Sequence, residues 1–264
     1  MKALLADDDL ISRMALTDLV SVLRQLQVVE VADGTAAWAE LDNGLAPVIC
    51  FFDVQMPGLD GLELLRRLRC DPRFVGIPVM LITSSADRYT VLAASKLGVD
   101  GFVAKPLDTG KTLERIELLV ARFEREILDE LETTTRRLGI KPERYAQYLG
   151  ALIEQAERVA ISLKNAHEPL AIPLLDGLRS AALTLAARHM VATIDRLKAA
   201  ITKSEPTDSI HSVEWASAIE VSATLLRDRA RSFGVRLADR PVPAPVQEAM
   251  ETITAPADDQ KNPS

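Results

Sequence analysis

Short apolar runs alternate with helix-like segments over the first 108 residues of the chain, and this alternation limits the folds that it can adopt. The apolar runs lie at residues 3–6, 28–31, 48–52, 79–82 and 101–104. Amphipathic helical patterns lie near residues 9–25, 33–43, 59–70 and 87–97. Strands that alternate with helices are typical of a parallel sheet covered by helices on both faces. The sequence therefore predicts an α/β fold with a five-stranded, doubly wound parallel sheet.

The pattern changes after residue 109, where strand signals vanish and helical patterns take over. Apolar residues recur at three- and four-residue steps at positions Ile116, Val120, Phe123, Ile127 and Leu131. No glycine or proline interrupts this stripe, so a single helix is predicted to cross from one domain into the next. Further helices are predicted at residues 145–163, 172–187, 188–201 and 210–233. Helices joined by short loops form a bundle, so we expect an all-α C-terminal half.

These patterns divide the chain of 264 residues into three parts. The α/β domain is predicted for residues 1–124, and a four-helix bundle is predicted for residues 125–236. The remaining residues 237–264 are rich in proline and poor in apolar side chains. Such a segment cannot bury enough apolar surface to offset the entropy lost on ordering, so we expect a disordered tail.

Composition and charge narrow the classes of partner. The net charge is -7, and no segment gathers lysine and arginine on one face, which argues against a nucleic-acid partner. The two cysteines and three histidines show no spacing that suits a disulfide framework or a transition-metal site. No signal-peptide pattern and no apolar stretch as long as a membrane span are present. We therefore expect a cytoplasmic protein without a membrane partner.

Charged and hydroxyl side chains follow four of the predicted strands at the point where each strand ends. Asp7 and Asp8 follow the first run, and Asp53 follows the third. Because the carboxyl ends of parallel strands meet at one edge, these acids should lie together and need a divalent cation as counter-charge. Thr83 and Lys105 follow the fourth and fifth runs, and a bound phosphoryl group needs such a hydroxyl and ammonium. The pattern therefore predicts phosphoryl transfer to Asp53.

Four segments resemble the receiver domain of bacterial two-component response regulators. They are residues 4–9 (LLADDD), 52–61 (FDVQMPGLDG), 82–84 (ITS) and 101–106 (GFVAKP). The resemblance covers residues 1 to about 125 and implies a flavodoxin-like fold. It implies that a histidine kinase, or a histidine phosphotransfer protein, phosphorylates Asp53 while Lys105 and Thr83 hold the phosphoryl oxygens. It also implies a switch pair, in which the Thr83 hydroxyl moves toward the phosphoryl group and the Phe102 ring turns inward.

The same resemblance implies a magnesium ion at the acid cluster. Asp8 and Asp53 would bind the ion, with Asp7 directly or through water and Gln55 through its main-chain carbonyl. Asp9 has a simpler interpretation, because aspartate is favoured as the cap of a helix. None of the family's catalytic positions is substituted, so the site is expected to be competent. We expect no enzyme activity beyond phosphoryl transfer onto the chain's own aspartate and hydrolysis of that group.

The helical half is similar to the histidine phosphotransfer domains of phosphorelays, which are four-helix bundles. A match at residues 185–190 places Asp176 at the position of the histidine, Arg179 at the lysine and Ser180 at the glycine. The phosphoryl carrier is therefore missing, and the domain is expected to act through contacts with an unknown downstream protein. The stripe predicted to be buried is Leu175, Leu178, Ala182 and Leu185. Asp176 and Arg179 then share another face, where a simple surface ion pair is the alternative interpretation.

Three alternatives stay open for the helical half. An active relay would pass phosphate through His189 or His167, although these and His211 are expected to be ordinary surface or half-buried residues. A DNA-binding output or a kinase-like dimerisation region is the second, although no basic recognition helix is apparent. The third is a homodimer interface along residues 116–131 in place of a simple packing stripe. The aromatic residues expected in the bundle core are Tyr145, Tyr148 and Trp215.

Overall fold

The computed structural model describes residues 1–23, 26–84, 88–165, 168–203 and 210–234. The predicted tail at residues 237–264 lies outside this range. Among the helices of the described residues, none combines the length and the apolar character that crossing a membrane requires.

The first half of the chain contains a five-stranded sheet with the order β2-β1-β3-β4-β5. The strands are β1 (Lys2–Ala6), β2 (Gln27–Val31), β3 (Pro47–Asp53), β4 (Val79–Thr83) and β5 (Gly101–Ala104). All neighbouring strands are parallel. The central strands β3 and β4 are buried along their whole length, as strands covered on both faces must be. The predicted doubly wound α/β fold is confirmed.

Five helices connect and follow these strands. They are α1 (Leu10–Ser21), α2 (Gly34–Asp42), α3 (Gly61–Cys70), α4 (Arg88–Lys96) and α5 (Thr109–Ile127). An aspartate caps the start of four of them, namely Asp9, Asp33, Asp60 and Asp108. The Asp9 carboxylate accepts a hydrogen bond from the Ile11 amide at 3.1 Å, which confirms its simpler interpretation as a helix cap.

The second half is helical, as predicted. Its helices are α6 (Leu131–Leu138), α7 (Pro142–Asn165), α8 (Glu168–Thr184), α9 (Arg188–Lys203) and α10 (Ile210–Ser232). The core contains Tyr145 and Trp215, as expected. Tyr148 is 40% exposed, so its assignment to the core was wrong. Its ring lies at the surface under the guanidinium of Arg144, 5.2 Å from the ring centre, where its hydroxyl stays accessible to water.

The stripe predicted to lie on one helix is interrupted. The helix α5 ends at Ile127, Leu128 is extended with φ -158° and ψ 128°, and α6 begins at Leu131. Leu128 is fully buried, so tertiary burial of this side chain takes the place of a helix breaker in the sequence. The predicted continuity was therefore wrong over residues 128–130. The predicted domain boundary after residue 124 falls inside α5.

The two halves meet along the second half of α5, which lies against α9 and α10. Phe123 of α5 is buried there and meets the ring of His189 from α9 edge-on. Gly76, in the loop before β4, also faces His189, since a Cβ atom added to it would lie 3.8 Å from that ring. The end of α10 borders a groove with Lys2 and Gln27, the first residues of β1 and β2. The bundle therefore lies beside the amino edge of the sheet.

Candidate functional site

The side chains predicted from the strand ends lie together at the carboxyl edge of the sheet. Asp7 follows β1 directly, and Asp53 is the last residue of β3, the neighbouring central strand. Thr83 is the last residue of β4, and Lys105 follows β5 directly. Parallel strands deliver their carboxyl ends to one edge, which is why four distant sequence positions converge. This edge lies about 15 Å from the amino edge that the bundle covers, the length of a five-residue strand.

Three carboxylates form the centre of the site. Ligand oxygens of Asp7, Asp8 and Asp53 all lie within 4.8 Å of one another. Asp7 and Asp53 are buried, whereas Asp8 is exposed at the rim. Magnesium prefers oxygen ligands and commonly binds through one or two carboxylates, so this donor set fits the ion. Because the third acid is exposed, one side of the site is open to solvent.

Lys105 supplies the positive charge at this cluster. Its Nζ lies 3.0 Å from Oδ2 of Asp7 and in still closer contact with Oδ2 of Asp53. Burial opposes the charge on Lys105, but its hydrogen bonds to Asp53 and Asp7 outweigh that effect and raise its pKa. The ammonium therefore stays protonated and bridges the two buried acids.

Main-chain amides and one hydroxyl hold the acids in place. Oδ1 of Asp7 accepts a hydrogen bond from the Asp9 amide at 2.9 Å, and Oδ2 accepts one from the Ser12 hydroxyl at 2.7 Å. Oδ1 of Asp53 accepts a hydrogen bond from the Gln55 amide at 3.0 Å. Sequence reasoning missed Ser12, because a serine in the first turn of an amphipathic helix carries no distinctive signal. The role of Gln55 as a metal ligand through its carbonyl stays a prediction.

The loop after Asp53 approaches its own strand very closely. A Cβ atom on Gly61, the first residue of α3, would lie 2.2 Å from the carbonyl oxygen of Asp53. Gly58, within the loop, has a φ of 77°, a conformation that glycine adopts without strain. The two glycines of the motif thus allow the chain to turn sharply below the acid cluster.

The predicted switch pair occupies two neighbouring strands. Thr83 is buried at the end of β4, and Phe102 is half-buried on β5, where it lies opposite Leu81 in the parallel register. Movement of either side chain stays a prediction.

The degenerate phosphotransfer positions lie on an exposed face of α8. Asp176 and Ser180 are exposed and Arg179 is partly exposed, whereas the predicted apolar stripe on the same helix is buried. The alternative interpretation was a surface ion pair between Asp176 and Arg179, but the close ion pairs of both residues are made with α9. Arg179 instead donates to both carboxylate oxygens of Asp195 on α9, at 2.6 and 3.0 Å, and Asp176 pairs with Lys198 of α9. The partners come from the neighbouring helix α9, and the sequence pattern of α8 alone cannot show which residues of another helix lie opposite it.

His189 is buried, with 6% exposure, so its expected surface or half-buried position was wrong. Its ring centre lies 5.3 Å from that of Phe123, and its Nδ1 lies 3.5 Å from the Ser222 hydroxyl. Burial and, to a smaller extent, the charge of the nearby Arg196 together lower the pKa of His189 to about 4. His167 and the side chain of His211 lie outside the described residues. The His189 ring is buried between the two halves, so another protein cannot reach it to exchange a phosphoryl group.

The buried His189 should make the protein acid-sensitive. The folded state holds the ring neutral, whereas the unfolded state binds a proton below the ordinary pKa of 6.5. Stability from this group is therefore complete above pH 6.5 and is lost as the pH falls toward about 4. We expect the loss to approach about 1.4 kcal/mol per pH unit within this window. Urea unfolding of the wild-type chain and of His189→Asn at several pH values would measure it, and equal pH slopes in the two proteins would contradict it.

Comparison with known proteins assigns the first half of the chain to a family. Residues 3–117 match the family described as the response regulator receiver domain. The chain is 32% identical over 120 residues to chemotaxis protein CheY1 of Helicobacter pylori, a match that covers 46% of this chain and 97% of CheY1. It is 34% identical over 122 residues to chemotaxis protein CheY of Pseudomonas aeruginosa, covering 46% of this chain and 98% of that protein. The chain belongs to the response regulator family through this receiver domain, a component of two-component signalling.

A longer match extends beyond the receiver domain. The chain is 32% identical over 179 residues to the response regulator PleD of Caulobacter vibrioides, a match that covers 63% of this chain and 39% of PleD. This similarity assigns no function to the helical half. The resemblance of that half to a phosphotransfer domain stays a prediction.

Proposed function

We propose that this chain accepts a phosphoryl group on Asp53 from a phosphohistidine donor and that its helical half is a degenerate phosphotransfer-like output domain. The observation that carries the proposal is the convergence of Asp7, Asp8 and Asp53 with the ammonium of Lys105 at one edge of the sheet. Fixed charges of both signs in a partly buried site stabilise the charge that gathers during phosphoryl transfer. Labelling by acetyl phosphate that requires both magnesium and Asp53 would test the assignment.

Magnesium would complete the site. Asp8 and Asp53 would hold it, with Asp7 and the carbonyl of Gln55 as further ligands. When bound, the ion would neutralise the acids and the incoming phosphoryl oxygens. The amide of Asp9 and the hydroxyl of Ser12 keep the Asp7 carboxylate in position for this role.

The chain's own side chains would carry the transfer. A carboxylate oxygen of Asp53 forms a bond to phosphorus as the phosphorus–nitrogen bond of the donor breaks, and the donor imidazole keeps the electron pair. Lys105 is already in contact with Asp53 and would pair with one phosphoryl oxygen, while the Thr83 hydroxyl would donate to another. Water later displaces the group from Asp53. We propose no activity toward any other substrate.

The output would depend on a change of shape in the receiver domain. Thr83 and Phe102 would respond to the new charge at the edge, and the change would bias α5, whose second half lies against the bundle. On α8, Asp176 pairs with Lys198, and among the described residues it belongs to no cluster of acids that could hold a cation. Phosphoryl transfer through Asp176 therefore has no support, and the bundle would act as a docking surface.

The relay alternative would require a phosphohistidine in the bundle. His189 is buried between the halves, which opposes that role, and His167 lies outside the described residues. An adduct that is stable in base and labile in acid would support the relay. A gel shift with genomic DNA fragments would test the DNA-binding alternative, which the net charge of -7 disfavours.

An apolar rim beside the site suits a protein donor. Leu10, Ile11 and Met14, in the first turns of α1, are 57%, 77% and 56% exposed. They begin two residues after Asp8, so a protein that docks on them would bring its phosphohistidine to the acid cluster. Three exposed apolar side chains in one patch commonly mark a contact surface.

Replacing Ile11 with aspartate should slow phosphoryl transfer from a protein donor by about tenfold, the equivalent of about 1.4 kcal/mol in donor binding. Labelling by acetyl phosphate should be unchanged, because a small donor does not use the rim. The measurement is the rate of transfer from a purified, phosphorylated histidine phosphotransfer domain that labels the wild-type chain.

Val22→Asp is the matched control for Ile11→Asp. Val22 is 63% exposed and caps the other end of α1, about 16 Å from Ile11 along the helix. Transfer to this control should proceed at the wild-type rate. Equal slowing of the two variants, or no slowing of either, would show that the rim does not receive the donor.

A further inference from the structure

The joint between α5 and α6 interrupts a helix where the sequence contains no breaker. The helix α5 ends at Ile127 and α6 begins at Leu131, yet residues 111–138 contain neither glycine nor proline. Leu128 and Glu130, which lie in the joint, belong to the residue types that favour helices. At the start of α6, Glu130 makes no side-chain cap hydrogen bond. Tertiary contacts, and not the local sequence, therefore impose the break.

The contacts that hold the break come from the bundle and the core. Leu128 is fully buried. Oδ2 of Asp129 pairs with Nη2 of Arg188, at the start of α9, at 3.0 Å. Arg137 of α6 donates to the main-chain carbonyl of Thr184 at the end of α8, at 2.8 Å. Of these contacts, the pair between Asp129 and Arg188 links the joint itself to the bundle of the same chain.

The face of α5 that the bundle covers combines good apolar contact with imperfect polar pairing. Phe123 meets the ring of His189, and Glu124 pairs with Nη1 of Arg229 at 2.8 Å. Within the described residues, Nε2 of His189 and Nε of Arg229 are buried without a hydrogen-bond partner. Buried polar atoms of this kind favour an interface that can separate, because separation returns them to water.

We propose that residues 128–130 are a hinge and that a second copy of this chain is the partner that exchanges its bundle across it. In the open state these residues become helical and join α5 and α6 into one helix over residues 109–138, about 45 Å long. A straight helix carries the bundle beyond the reach of its own α5 face. The bundle of the second copy then covers that face with the same contacts seen within one chain, which gives a domain-swapped dimer.

The second copy is the occupant that the structure favours, because its bundle already has the complementary surface. Every contact across the seam, including Glu124 with Arg229, is preserved when the bundle comes from the partner, and only the three-residue joint changes. The seam lies at the amino edge of the sheet, so the acid clusters of both copies stay open. The inference does not depend on the phosphoryl chemistry proposed for Asp53.

Two substitutions in the joint have opposite expected effects on the dimer. Asp129→Ala removes the pair with Arg188, which only the closed joint makes, and improves helix propensity. It should strengthen dimerisation roughly tenfold. Glu130→Pro suits the closed joint, where Glu130 has a φ of -59° and only the hydrogen bond from its amide to the partly exposed Asp129 carboxylate would be lost. In a continuous helix, a proline at this position removes a main-chain hydrogen bond and clashes with the preceding turn. It should keep the chain monomeric. Light scattering of chains refolded over a range of concentrations measures both.

Cross-linking between chains that each carry one introduced cysteine, besides the buried Cys50, distinguishes a swapped dimer from any other. One sample carries Glu124→Cys and the other Arg229→Cys, both with Cys70→Ser, because Cys70 is exposed whereas Cys50 is buried. After the two are refolded together, a short bismaleimide should join them into a covalent dimer. The proposal is overturned if wild type and Asp129→Ala stay monomeric at their highest soluble concentrations. The proposal is also overturned if Glu130→Pro dimerises as strongly as the wild-type chain. The same holds if the two cysteine variants form a dimer that the bismaleimide does not join covalently.

Discussion

The Asp53→Ala chain should take up no label from acetyl phosphate in magnesium buffer, whereas the wild-type chain should be labelled. The geometry favours Asp53 over the neighbouring Asp7 as the acceptor of the phosphoryl group. Both oxygens of Asp7 are held by hydrogen bonds from Asp9 and Ser12, and the residue has no exposed surface. Asp53 keeps 6% exposure at the open side of the site, in contact with Lys105. Removing the attacking oxygen removes the step itself, so labelling should fall by more than about 100-fold.

Two controls accompany this experiment. Asp176→Ala removes an exposed carboxylate on α8 and should leave labelling unchanged. Chelation of magnesium should abolish labelling of the wild-type chain, because Asp7, Asp8 and Asp53 then lack their counter-ion. Label that persists in Asp53→Ala would place the acceptor elsewhere. A base-stable adduct would indicate a phosphohistidine and favour the relay alternative.

Substitution of Gly61 by alanine should lower the free energy of unfolding by about 2–3 kcal/mol. The added Cβ would lie 2.2 Å from the carbonyl oxygen of Asp53, and a main-chain atom at the end of a buried strand cannot move aside. The loop between β3 and α3 must therefore shift, and Asp53 shifts with it. We expect labelling by acetyl phosphate to fall together with stability. Urea unfolding monitored by circular dichroism measures the first effect.

Gly150→Ala is the matched control for this substitution. Gly150 lies inside α7, and no atom lies within 4 Å of the position of its added Cβ. The same chemical change should therefore raise the free energy of unfolding by about 0.5–1 kcal/mol, because alanine favours a helix over glycine. A stable, fully labelled Gly61→Ala protein would show that the loop after β3 is not constrained as described.

Much of the receiver half could be predicted because its signals are local. Each buried strand appears as a short apolar run, and the residue that ends a run is also the residue at the edge of the sheet. Asp7, Asp53, Thr83 and Lys105 could therefore be placed at one edge before any distance was known. The support from Ser12 could not be predicted, because it depends on how α1 turns toward β1.

Errors in the helical half have a common physical origin. Periodicity shows which face of a helix is apolar, but it does not show which other helix meets its polar residues. The ion pair of Arg179 with Asp195 and the burial of His189 both depend on the approach of a second element. Tyr148 was misplaced for the same reason, since a half-apolar ring is stable at either location.

The sequence by itself determined the order of strands and helices, the edge of the sheet that carries the acids, and the apolar stripes of the bundle. These features follow from local propensity and from the periods of strands and helices. Only the tertiary structure decided that α5 ends at Ile127 and that His189 lies between the halves. Residues 128–130 would suit a helix on their own. The gain from burying Leu128 and docking the bundle on α5 exceeds the helical preference of three residues, and such a balance is fixed by contacts distant in sequence.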